Sequence, residues 1–120
     1  MQLNAGQYRD RVRAACLNAD EKARRRSAPD RETVPLSAVI DLEFGELQRI
    51  RILVPPDDLK EAHADIVTIW GQRIAGLQHV LDTADQMDDQ QLTSAITATD
   101  ALARHLNEIF RQIGVGECTL

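Results

Sequence analysis

At 120 residues the chain has room for one ordinary domain, residues 1–120, and is too short for two independent cores. Its 43% hydrophobic and 28% charged residues exclude a chain that stays unfolded, and aromatics at 3% leave the core to Leu, Ile, Val and Ala, which favours helices over a β-sandwich or barrel. The net charge of −5 is unevenly spread: residues 1–27 carry seven basic and three acidic side chains, whereas residues 54–120 carry four basic and eleven acidic ones.

Four segments have helical periodicity. The first opens at Asn4, with Gln7 three residues on as the partner of a capping box. Its apolar stripe is Tyr8, Val12, Ala15, Cys16, Ala19 and Ala23, and it should run to about Arg26. Residues 27–32, with Pro29 and Asp30, read as a polar loop. The second helix starts around Thr33 to Pro35, buries Leu36, Val39, Ile40, Leu47, Ile50 and Val54, and is stopped by Pro55-Pro56. The third opens at Asp58, with Glu61 as its capping-box partner, and carries the stripe Leu59, Ala62, Ile66, Trp70, Ile74, Leu77 and Leu81. After a short acidic loop, Asp88 and Gln91 cap the fourth, whose stripe runs from Leu92 through Ile96, Thr99, Leu102, Leu106 and Ile109 to Ile113. Gly114 supplies a left-handed stop, with Val115 placed for the accompanying apolar contact. The core expected from these stripes contains Val12, Ile40, Leu47, Ile66, Trp70, Ile74, Leu77, Leu81, Ile96, Leu102, Leu106 and Ile109.

Four amphipathic helices on short connections should form an all-α, antiparallel up-down four-helix bundle. The first and last helices are then antiparallel neighbours, and the tail from Gly114 to Cys118 emerges near the start of the first. Cys16 lies about 18 Å up that helix at ~1.5 Å per residue. Five extended residues span that distance at ~3.3–3.6 Å each, so a disulfide between Cys16 and Cys118 is within reach. The alternative is one core thiol and one exposed thiol. Neither cysteine has a second Cys or a His at zinc-ligand spacing.

Tyr8 ahead of Cys16, the segment Leu53-Val54-Pro55-Pro56-Asp57-Asp58-Leu59 opening a long helix, and the closing Gly114-Val115-Gly116-Glu117-Cys118 together form a pattern. It resembles a loose group of small helical domains in secreted proteins and lipoproteins of actinobacteria. The resemblance implies export, a disulfide and a helical bundle, and it implies no activity. The chain departs from that group in showing no signal peptide or lipobox, so a membrane tether would lie outside the given residues. No apolar run in it approaches the ~20 residues that cross a bilayer.

Carboxylate di-metal bundles use Glu-x-x-His pairs, but Lys60, Gly76 and Leu102 stand three residues before His63, His79 and His105. His63 and His79 point roughly 160° apart on one helix. His105 and Glu108 read as a solvated surface pair. There is no Gly-x-Ser-x-Gly nucleophile turn and no phosphate-cradling glycine loop. The expectation is therefore no enzyme, no catalytic residue, no metal and no organic cofactor.

Trp70 reads first as core and secondly as a ligand or partner contact, with Gly71 and Gly76 allowing close helix approach beside it. Arg24, Arg25 and Arg26 could bind an acidic partner or nucleic acid, but three arginines closing a helix also complement its negative end without a ligand. The leading expectation is a non-catalytic, extracytoplasmic module that binds or scaffolds a protein partner at the cell envelope, without nucleic acid. The alternatives are a small-molecule-sensing bundle with a site near Trp70, and a cytosolic regulator acting through Arg24–Arg26.

Overall fold

A computed structural model describes the backbone of residues 2–27 and 35–120, and side chains at residues 2–17 and 35–120. The described residues form four α-helices that pack as an up-down bundle: α1 (Ala5–Ser27), α2 (Leu36–Arg51), α3 (Lys60–Thr83) and α4 (Asp89–Gln112). No β-strand occurs among the described residues.

Local chemistry sets two of the helix starts. Asn4 Oδ1 accepts from the Gln7 backbone N–H at 2.8 Å while Gln7 Oε1 accepts from the Asn4 N–H at 3.0 Å, which closes the expected box ahead of α1. Asp88 and Gln91 repeat the arrangement at α4, at 2.8 and 3.0 Å. Each such cap contributes on the order of 1 kcal/mol, because it satisfies backbone donors that the first turn leaves open. The expected box at Asp58 and Glu61 does not form. Residues Asp57–Leu59 instead make a 3-10 turn, with the Leu59 N–H donating to the Pro56 carbonyl at 3.0 Å, and α3 begins at Lys60. This turn sends Leu59 inward, where it is buried.

The core follows the stripes over most of their length. Tyr8, Val12, Ile66, Trp70, Leu106 and Phe110 are fully buried, with the Trp70 and Phe110 rings edge to face at 5.9 Å. Ile74 and Leu102 are half-buried and pack against this cluster. Among the described residues, three that the stripes place inside are exposed: Val54 at 43%, Leu81 at 42% and Ile96 at 44%. Val54 falls outside because α2 ends at Arg51, so the helical phase is lost before it. Leu81 follows the buried Val80, so at ~100° per residue it turns off the covered face of α3, and Ile96 lies toward the α3–α4 connection, a turn before Thr99, the first buried residue of α4.

The last turn of α4 ends as expected. Gly114 adopts φ +88°, and the Val115 N–H donates to the Phe110 carbonyl at 2.8 Å, with Val115 buried. Only the left-handed region permits this reversal, and glycine enters it without a Cβ penalty. The tail then wedges between α4 and α1, and this contact, more than a direct helix-to-helix seam, joins the two.

Candidate functional site

The tail is anchored by a ladder of α1 side chains. Arg9 Nε donates to the Ile113 carbonyl at 2.6 Å, Arg13 donates to the Gly114 carbonyl at 2.9 Å, and Arg13 also pairs with Glu117. The glutamate holds the Arg13 guanidinium above its usual pKa. Cys118 reaches Cys16 in a disulfide with the Cα atoms 5.5 Å apart, and both residues are 2% exposed. Because Ile113 already lies beside Arg9, the tail has only about 10 Å to climb at ~1.5 Å per helical residue. That is roughly half the span expected for a tail emerging beside Asn4. Beyond Cys118 the chain returns to α4, where Asn107 accepts from the Leu120 N–H at 2.6 Å and donates to its carbonyl at 3.3 Å.

A second cluster ties α2, α3 and α4 together. Glu43 Oε1 accepts from Trp70 Nε1 at 2.9 Å and from Arg73 Nε at 2.8 Å, and Arg73 closes a fork on Oε2 at 3.1 Å. The third guanidinium nitrogen donates to the Thr99 carbonyl on α4 at 3.2 Å. The carboxylate is therefore compensated by a bidentate arginine, the arrangement that makes a buried charge tolerable. Glu43 escaped the sequence reading, although a signal existed: it stands at i+3 from Ile40 and i−4 from Leu47, inside the buried stripe of α2. Trp70 is a correction to its reading as a ligand or partner contact. Its ring has no solvent-exposed face and its one polar atom is taken by Glu43.

The two glycines beside Trp70 do different things. Gly76 is where α3 and α4 meet closely, since a Cβ there would lie 2.8 Å from Thr99 Cγ2. Gly71 has open space above it and borders a groove of about 450 Å³ between α2 and α3. Ile40, Phe44, Leu47, Ile74 and Ala75 line the groove, with Asp41, Arg51 and Gln78 among its polar residues. Phe44 is 49% exposed there.

The histidines are dispersed. His63 Nδ1 lies 2.9 Å from the Tyr8 hydroxyl, with the rings edge to face at 5.6 Å. Burial pushes the Tyr8 pKa up to about 12 and the His63 pKa down, so a neutral imidazole accepting the phenolic proton suits both residues. His79 borders an open polar hollow of about 620 Å³ under the α3–α4 connection, with Asp88 and Gln91 already occupied by capping. His105 and Glu108 are both exposed. Among the described residues no group of three or more His, Cys, Asp or Glu side chains is placed to hold a metal ion, and no helix is long and apolar enough to cross a membrane. Arg24, Arg25 and Arg26 occupy the last turns of α1, and their side chains lie outside the described residues.

Compared with known proteins, the chain matches no family model, no curated protein and no solved structure.

Proposed function

We propose that the protein is a non-catalytic helical-bundle module of an extracytoplasmic compartment, working at the cell envelope by binding another protein. The observation that carries this reading is the Cys16–Cys118 disulfide. It joins residues 102 positions apart, is buried on both sides, and belongs to the chemistry of oxidising compartments. The motif likeness to exported actinobacterial helical domains points the same way. The polar clusters support a binding role over a reaction: Glu43, Arg73 and Trp70 saturate one another, and Arg9 and Arg13 are spent on the tail.

Thiol labelling in intact cells, followed by fractionation, tests the reading. The expected result is protein in the envelope or medium with both cysteines resistant to alkylation until reduced. Recovery from the cytosol with two free thiols overturns it, and favours the regulator that would act through Arg24–Arg26.

A small-molecule sensor is the second reading, and the α2–α3 groove beside Gly71 favours it. Its volume falls within the ~300–1,000 Å³ common for ligand cavities. A thermal-shift screen of apolar small molecules against the wild type and Gly71→Leu separates the two, because a groove ligand should lose its effect in the variant.

A further inference from the structure

We propose that the hollow between α1 and α2, flanked by Arg11 and Arg49, docks an acidic peptide segment of a partner protein. The proposal rests on the reading of the bundle as a protein-binding module and names the chemistry of its partner. The hollow measures about 240 Å³, below the ~300–1,000 Å³ of small-molecule cavities, and Ala14, Ala15 and Leu53 give it an apolar lining. It has room for an aliphatic side chain and too little for a drug-sized ligand. Ile52, also lining it, is 79% exposed on the turn that follows α2.

The charge of this face sets the partner's chemistry. Arg9 and Arg13 of α1 are engaged by the tail, whereas Arg11 and Arg49 are exposed and make no ion pair among the described residues. They stand on different helices and line the same apolar hollow. A guanidinium offers a planar fork of donors suited to a carboxylate, and arginine is enriched where interfaces carry most of their energy. The chain as a whole is at −5, yet fields are screened beyond ~8–10 Å at physiological salt, so a bound segment senses the arginines that line the hollow more than the net charge of the chain. The matching partner is a segment with an aliphatic side chain for the hollow and Asp or Glu on either side of it. The concavity favours a peptide over a flat lipid surface, which would meet Ile52 and leave the hollow unfilled.

Selection of a random 12-residue displayed peptide library on the purified, oxidised protein tests this, with the Arg11→Glu/Arg49→Glu double variant as counter-target. Both positions are exposed, and an unchanged melting temperature verifies the variant's fold. The expected result is enrichment of sequences in which Asp or Glu flanks Leu, Ile or Val. Those peptides should bind the double variant at least tenfold more weakly, lose affinity between 50 and 300 mM salt, and weaken severalfold against Ile52→Ser. Peptides without acidic enrichment, or acidic peptides indifferent to the double variant, overturn the site. If such peptides lose binding to Gly71→Leu, the binding-module reading stands and only this site falls. No enriched peptide overturns the proposal, and arginine-dependent sedimentation with phosphatidylglycerol vesicles in that case assigns the face to a membrane.

Discussion

Thr99 of α4 sits directly over Gly76 of α3: a Cβ on that glycine would lie 2.8 Å from Thr99 Cγ2. Thr99 has little freedom to yield, because it is buried and its hydroxyl donates to the Ile96 carbonyl at 2.8 Å. Gly76→Ala should therefore destabilise the protein by ~1–2 kcal/mol, since overpacking outweighs the gain in helix propensity. Gly71→Ala, five residues earlier in the same helix but under open space, should stabilise it by ~0.5–1 kcal/mol. Urea unfolding of the two variants side by side checks the opposite signs.

Glu43→Gln should cost ~2–4 kcal/mol, because it leaves the Arg73 guanidinium, whose side chain is 12% exposed, without its counter-charge. A simultaneous Arg73→Met exchange should recover part of the loss by removing the orphaned cation. The double-mutant cycle, followed by Trp70 fluorescence, measures the coupling. Equal and additive losses would show that the pair does not act as a unit.

Cys118→Ser should lower stability by ~2–5 kcal/mol, the range for losing the bridge of a small domain. Helix content by circular dichroism should change little, because the capping boxes at Asn4 and Asp88 do not depend on the bond. Denaturant titration of the oxidised wild type and the variant is the measurement, and coincident curves would refute a stabilising role.

The Tyr8–His63 contact predicts an acid-sensitive fold. Burial lowers the His63 pKa in the folded protein, so the unfolded chain binds the proton more readily. Stability from the neutral ring is then fully present above the unfolded value near ~6.5 and is lost as pH falls through the folded one. Protonated Nδ1 also stops accepting from the Tyr8 hydroxyl. Melting temperatures of the wild type and His63→Gln should converge between pH 7 and pH 5, to be read in overlapping buffers. Parallel curves would mean that His63 does not carry the dependence.

Helix number, the caps at Asn4 and Asp88, the stop at Gly114 and the reach of Cys118 to Cys16 were all legible in the amino-acid order. Each depends on neighbours within a few positions or on a length that the helical rise converts to distance. Tertiary structure alone decided which parts of each stripe find cover. Leu81 and Ile96 carry the right period and are still exposed, because burial depends on which face a neighbouring helix covers: α3 buries Val80 rather than Leu81 there, and α4 buries nothing before Thr99. The same reason hid the carboxylate of Glu43. A charged residue inside an apolar stripe is ambiguous until Arg73 and Trp70, at 30 and 27 positions' distance, are brought against it. The Arg11–Arg49 hollow belongs to the same class, for the periodicity of either helix places its arginine on a solvated face, and only the packing of α1 against α2 sets the two around one apolar hollow.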